Sequence, residues 1–112
     1  MMSHERLDVY QLAIKFVGAA RRIIKLIPRG NADWADQLRR ASRATPLLIA
    51  EGVGKTTMAH QVRYYGDARE STFECAACLD VLREEELVEA TLLGEGKQDL
   101  ERIVAMLTKM CR

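Results

Sequence analysis

Apolar residues recur along most of this chain at the three-then-four spacing of helices that bury one side. The pattern predicts four helices: Leu7 to Ile27, about Asn31 to Gly54, about Met58 to Arg83, and about Glu89 to Met110. Because the turn between the first two is short, they should form an antiparallel hairpin. We therefore expect one all-α domain over residues 1–112, an antiparallel up-down-up-down four-helix bundle.

The first predicted helix carries two apolar faces. The face that we assign to the core of the bundle contains Leu7, Tyr10, Ala13, Ile14, Val17, Ala20, Ile24 and Ile27. The second face is larger than the apolar patch that a soluble monomer usually leaves exposed, so we expect another copy of the chain to cover it. The candidate interface residues on this second face are Leu12, Phe16, Ile23 and Leu26.

The second predicted helix combines a buried stripe with a group of arginines. Arg39, Arg40 and Arg43 lie together off the apolar stripe. Guanidiniums one turn apart repel one another and usually have carboxylates or phosphates as partners. The apolar repeat resumes directly after Pro46, so we expect a bend at this proline rather than the end of the helix.

The fourth predicted helix is the least regular. Its inward side is expected to consist of Leu92, Leu93, Leu100, Ile103, Val104, Leu107 and Met110. Gly94 and Gly96 weaken its first turns, because each glycine costs about 1 kcal/mol relative to alanine inside a helix.

Short motifs spread over nearly the whole chain resemble those of one known family. They are Leu7-Asp8-Val9-Tyr10-Gln11, Ile27-Pro28, the run Gln37 to Ala41 followed by Pro46 and Ile49-Ala50-Glu51-Gly52, the segment Ala68 to Glu74, and Met106-Leu107. Together they resemble the bacterial 23S rRNA intervening-sequence proteins, which are small four-helix bundles. The resemblance implies a ring-shaped homopentamer. It also implies a relation to the accessory variability protein of diversity-generating retroelements, which works with a reverse transcriptase.

Charge is divided unevenly between the two halves of the chain. Residues 1–47 hold nine basic and four acidic residues, whereas residues 48–112 hold eight basic and twelve acidic residues. The basic half could contact phosphates, or its charge could be neutralised by the acidic half of the same or a neighbouring subunit. The acidic candidates for such pairing are Glu70, Glu74, Glu84, Glu85 and Glu86.

Two short motifs suggest chemistry that the rest of the sequence does not support. The segment from Gly52 to Thr56 ends like a phosphate-binding P-loop, but Ile49 stands where that loop needs glycine. We interpret it as a helix end followed by a threonine cap. Cys75 and Cys78 have metal or redox spacing but lie within a helix and lack a second pair of ligands, so we interpret them as buried apolar side chains. No catalytic constellation is evident, and we expect no enzyme activity, cofactor, metal or small-molecule substrate.

The location follows from the cysteines and the hydropathy. Three cysteines and no basic-then-apolar leader favour a reduced, cytoplasmic protein. No apolar run approaches the roughly 20 residues that a membrane helix needs, so we expect no membrane partner.

Two functions remain open from the sequence. The first is a nucleic-acid-associated accessory protein that binds RNA or DNA through Arg39, Arg40 and Arg43, with Lys55 extending the patch beyond the helix end. Its partner protein would be of the reverse-transcriptase kind that the resemblance implies. The alternative is a protein-interaction scaffold that binds a partner protein and no nucleic acid, which the net charge of only +1 favours.

Overall fold

The computed structural model describes all 112 residues, and four α-helices account for most of them. A short 3-10 turn at Ser3–Arg6 precedes α1 (Asp8–Leu26), α2 (Ala32–Val53), α3 (Met58–Glu84) and α4 (Ala90–Met110). No strand is present. The all-α prediction and the positions of the four helices are confirmed.

Each helix packs against two others: α1 against α2 and α4, and α3 against α2 and α4. Cross-helix hydrogen bonds show that α2 and α3 run in opposite directions. Gln37 on α2 bonds to Glu74 on α3, whereas Thr45, further along α2, bonds to Ser71, which comes earlier on α3. A helix of 27 residues such as α3 is about 40 Å long, which accounts for the longest dimension of a molecule of 44 × 22 × 20 Å.

The structure corrects our assignment of the apolar faces of α1. Leu12, Phe16 and Ile23 are only 8%, 2% and 1% exposed within a single chain. They belong to that chain's own core, so their prediction as interface residues was wrong. Leu26, at the end of α1, is 56% exposed and is the one member of the predicted interface that stays available to a partner.

The face that we assigned to the core is only partly buried. Ala13 and Ala20 are buried, but Ile14 is 47% exposed. The physical reason is that α1 packs against two helices at once, so a wide arc of its surface is covered and its largest side chains take the centre of the bundle. Phe16 and Ile23 fit there because Gly96 of α4 lies opposite them.

Gly96 is buried where α4 meets α1 and α3. A Cβ atom at this position would lie 3.2 Å from Cδ1 of Leu79 and 3.5 Å from Cε1 of Phe16. The absence of a side chain therefore allows α4 to approach both neighbours closely. Gly94 faces open space, and α4 runs through both glycines from Ala90.

Pro46 lies inside α2 and is buried, and the helix continues to Val53. Next to it, three hydroxyl groups meet where α2 packs on α3. Thr45 Oγ1 lies 2.7 Å from Ser71 Oγ and 3.4 Å from Thr72 Oγ1. Ser71 and Thr72 also donate to the carbonyl oxygen of Ala68, at 2.9 and 2.8 Å. No buried side-chain nitrogen or oxygen lacks a hydrogen-bond partner.

None of the four helices is both long enough and apolar enough to cross a membrane.

Candidate nucleic-acid interface

The three arginines of α2 lie together on its surface, as the spacing predicts. We call Arg39, Arg40 and Arg43 the α2 arginine cluster. Leu38 and Ala41 occupy the buried side of the same turns, which directs the arginines away from the core. Together with Asp36 the cluster surrounds a shallow recess on the outer side of α2.

One carboxylate is paired with the α2 arginine cluster. Asp36 Oδ1 accepts a hydrogen bond from Nη1 of Arg39 at 2.8 Å, one turn apart on the same helix. Arg40 and Arg43 are exposed and form no ion pair. Two of the three guanidiniums thus lack a carboxylate partner within the chain.

The acidic second half of the chain does not neutralise the α2 arginine cluster within one molecule. Apart from Arg39–Asp36, the ion pairs are Lys15–Asp99, between α1 and α4, and Lys97–Asp80, between α3 and α4. Glu74, which faces α2, accepts a hydrogen bond from Nε2 of Gln37 at 3.2 Å instead. Glu74 also lines a recess with Arg40 but forms no ion pair with it, so the acidic half compensates the cluster only in part.

The structure adds two cations of α1 to this region. Arg21 and Lys25 join Arg39 and Arg43 around a groove of about 230 Å³ between the two helices, here called the α1/α2 groove. The other lining residues are Val17, Ile24 and Ser42, so no carboxylate lines the groove. Four positive charges from two helices thus surround one depression.

Sequence reasoning missed Arg21 and Lys25 because cations in the last turns of a helix are already explained by the helix dipole. A usable signal was present in the hairpin itself. Arg21 and Arg39 stand nine residues before and nine residues after Gly30. In an antiparallel hairpin, residues at equal distances from the turn lie side by side.

Lys55 lies apart from the α2 arginine cluster. It follows the end of α2, twelve residues after Arg43, which corresponds to roughly 18 Å along a helix axis. Its Nζ lies 4.7 Å from the centre of the Tyr64 ring, in a cation–π contact. The structure therefore does not bring Lys55 into the patch that it was predicted to extend.

The segment resembling a P-loop is a helix end. Gly52 lies within α2, and Gly54 is the residue that ends it. A Cβ atom on Gly52 would lie 2.6 Å from Cε1 of Tyr65, so this glycine makes room for a buried ring rather than for phosphates. Thr57 caps α3 by accepting a hydrogen bond from the backbone N–H of His60 at 3.3 Å. The predicted helix end and threonine cap are confirmed.

Cys75 and Cys78 are buried and unpaired in α3. Burial, with smaller contributions from Cys78 and Glu74, raises the pKa of the Cys75 thiol from its ordinary 9.0 to about 12. Burial also raises the pKa of Cys78. Because a thiolate is the form that binds metals and acts as a nucleophile, both residues act as small apolar side chains. No group of three or more potential metal ligands occurs in the structure.

Fold and surface together define a class: a small all-helical protein with a group of mostly unpaired cations on α1 and α2. The chain belongs to the 23S rRNA-intervening sequence protein family, whose family model matches residues 5–109. This confirms the family resemblance found in the sequence motifs.

A solved structure supports the same fold. It is a protein of unknown function from the S23 ribosomal protein family of Bacteroides thetaiotaomicron, and it superposes with a TM-score of 0.86. The two chains share 15% identity, and the match covers 93% of this chain and 98% of that one. No curated protein matches the sequence. Neither matching description names an enzymatic activity.

Proposed function

We propose that this protein is a non-enzymatic accessory protein that binds the phosphate backbone of RNA or DNA. The observation that supports this function is the α2 arginine cluster, with Asp36 as its one paired carboxylate. Arginine clusters without internal partners suit phosphate oxygens, which accept two N–H bonds from one guanidinium. Binding of this kind is tolerant of sequence and falls steeply with salt.

Assembly would strengthen such binding. The short connections between helices imply an up-down-up-down bundle, and the family resemblance implies a ring-shaped homopentamer. Copies of one cationic site on a rigid ring would hold a polyanion together. Exposed apolar side chains on α1, Ile14 and Leu26, offer surface for contacts between subunits. Native mass spectrometry at micromolar protein tests this part: a pentamer supports it, and a monomer contradicts it.

The central experiment replaces Arg39, Arg40 and Arg43 by glutamine and measures binding of oligo-U RNA over a range of salt concentrations. Each lost phosphate contact should lower the magnitude of the slope of log affinity against log salt by about 0.7, the value for single-stranded nucleic acid. The matched control replaces Arg63, Arg83 and Arg102, which are exposed, unpaired and on α3 and α4. It removes the same charge and should leave most of the binding intact.

Two results would contradict the proposal. One is a wild-type protein that shows no salt-dependent binding. The other is an α2 triple variant that dissociates the oligomer or melts many degrees lower, because the arginines would then be structural partners of acidic residues in a neighbouring subunit. Circular dichroism and native mass spectrometry of the same samples report both properties.

A protein-interaction scaffold is the second candidate, and one observation favours it. Phe73 is 48% exposed and borders a groove of about 430 Å³ between α3 and α4, together with Ala76 and Leu100. A partner protein, such as an unrelated effector or enzyme, could dock there without nucleic acid. Neighbouring genes discriminate the candidates: a reverse transcriptase or ribosomal RNA locus supports the nucleic-acid function, whereas an unrelated effector or enzyme supports the scaffold.

Three free cysteines agree with a location in the reducing cytoplasm.

A further inference from the structure

The α1/α2 groove carries more positive charge than the α2 arginine cluster alone accounts for. We propose that it holds consecutive phosphates of one nucleic-acid strand, with Arg21 and Lys25 of α1 as binding residues opposite Arg39 and Arg43. This inference rests on the proposed function and specifies which surface performs it. It predicts that half of the binding site lies on a helix outside the α2 cluster.

The groove is arranged so that its cations have few partners other than a ligand. Arg21 and Lys25 are exposed and form no ion pair. Each of the two helices places its cations four residues apart, at 21 and 25 and at 39 and 43, a spacing at which like charges face and repel each other. A bound anion would relieve this repulsion on both helices at once.

The polar group at the floor of the groove already has a hydrogen-bond partner within the protein. Ser42 is 2% exposed, and its hydroxyl donates to the carbonyl oxygen of Arg39 at 3.1 Å. Asp36 holds one nitrogen of Arg39 at 2.8 Å, which fixes the guanidinium and leaves its other N–H groups free. A ligand would therefore meet one positioned guanidinium, that of Arg39, three further cations on the walls, and the apolar side chains of Val17 and Ile24.

The lining points to a phosphate backbone rather than to bases. No aromatic ring lines the groove to stack a base, and no side-chain amide lines it to bond a base edge. The groove extends along α1 from Val17 to Lys25, eight residues later, which is about 12 Å along the helix axis. This length accommodates about three consecutive phosphates of a nucleic-acid strand. Four cations suit a strand with several phosphates better than they suit a ligand with a single carboxylate.

The test compares two double variants that remove equal charge. Arg21→Gln with Lys25→Gln changes the groove, whereas Arg22→Gln with Lys109→Gln changes two exposed, unpaired cations that do not line it. Arg22 is adjacent to Arg21 on the same helix but reaches towards Gly18, where a Cβ atom would lie 3.6 Å from its Nη1. Labelled oligo-U RNA is the probe, and oligo-dT DNA and polyglutamate are the competitors.

We expect the groove variant to bind RNA about fivefold more weakly or worse, from the loss of two partly exposed charge contacts. The magnitude of its salt slope should fall by about 1.4, and the affinity of the control should stay within about twofold of wild type. The charge-retaining exchange of Arg21→Lys with Lys25→Arg should restore most of the affinity. DNA of equal length should compete with the RNA, and polyglutamate should compete poorly.

Three outcomes would overturn the inference. Equal weakening by both double variants would mean that charge acts at long range rather than in the groove. Equal competition by polyglutamate would exclude a phosphate site. A groove variant that binds like wild type while the α2 triple variant is weakened would remove α1 from the site and leave the proposed function standing. A wild-type protein without salt-dependent binding would instead contradict both this inference and the proposed function.

Discussion

The helix pair α1 and α2, here called the first hairpin, differs from the pair α3 and α4, the second hairpin, in how its charges are arranged. On α1 and α2, Arg21, Lys25 and Arg43 surround an open groove without a carboxylate in its lining. On α3 and α4, Lys97 bridges to Asp80 on the neighbouring helix. Each hairpin also carries one of the two phenylalanines, and they differ as much as the charges do: Phe16 is buried, and Phe73 is half exposed.

The contrast shows that a net charge of +1 conceals two distinct surfaces. Charges that bridge two helices stabilise the packing of those helices, and their exposure makes each bridge weak. Charges that face a groove without partners cost the free protein some repulsion and are available to a ligand. The first hairpin is therefore the one whose surface we expect to bind, because its unpaired cations line one groove. The second hairpin also has exposed, unpaired arginines, Arg63, Arg83 and Arg102, and these provide the matched control.

The phenylalanines give the largest expected effect. Phe16→Ala should lower the free energy of unfolding by about 3–5 kcal/mol, because it leaves a cavity in the centre of the bundle. Phe73→Ala should cost about 1–2 kcal/mol, since a half-exposed Phe73 loses partial burial and its cation–π contact with Arg69, at 4.9 Å. Urea denaturation of both variants measures the difference. Equal losses would refute the division into a buried and an exposed phenylalanine.

Two helical glycines sharpen the comparison at a smaller scale. Gly52→Ala in α2 should destabilise the protein by about 1–3 kcal/mol, because its methyl group would overlap the buried ring of Tyr65. Gly94→Ala in α4 should stabilise it by about 1 kcal/mol, because nothing lies near the new methyl group and alanine favours the helix. Thermal melts of the pair should therefore shift in opposite directions. A shift of Gly52→Ala to higher temperature would mean that α2 and α3 are not packed as described.

The smallest stability effect concerns single cations. Lys97→Gln should lower the free energy of unfolding by no more than about 1 kcal/mol, because the bridge to Asp80 is partly exposed. It should leave RNA affinity unchanged. Arg43→Gln should do the reverse, weakening RNA binding with little change in stability. If Lys97→Gln weakened binding as much as Arg43→Gln did, the two hairpins would not differ in function.

Much of the fold follows from local sequence. Helix bounds were predictable because the apolar spacing, the Pro28 turn and the Gly54–Thr57 connection are local signals. The inward face of α1 was not predictable, because both faces are apolar and the choice depends on how α1 packs against α2 and α4, including the space beside Gly96. From the sequence, Gly96 was expected only to destabilise α4, because the loss of helix propensity at a glycine is a local property. The close packing that Gly96 allows depends on residues of other helices.

The candidate site was predictable in part for a similar reason. Arg39, Arg40 and Arg43 are neighbours along one helix, so their spacing alone places them together. Arg21 and Lys25 reach the same groove through the hairpin, and the distance of each residue from the turn carries that information. Lys55 is close to the helix end in sequence, but the length of α2 places it far from the arginines.

The hydroxyl contacts of Thr45, Ser71 and Thr72 limit how α2 and α3 can slide along each other. Because Ser71 donates to the carbonyl oxygen of Ala68, Thr45 is the donor in its 2.7 Å contact with Ser71. Thr45 has one hydroxyl proton, so this bond takes the place of its longer one to the carbonyl oxygen of Ala41 at 3.5 Å. Moving α2 by one helical turn would separate these oxygens and set Thr45 against apolar neighbours. Small side chains such as those of α3 allow many sliding positions at similar cost, and polar contacts in a core can single out one of them. These three hydroxyls thus favour one alignment of the bundle over its near-equivalents, which matters more for a unique native state than for total stability.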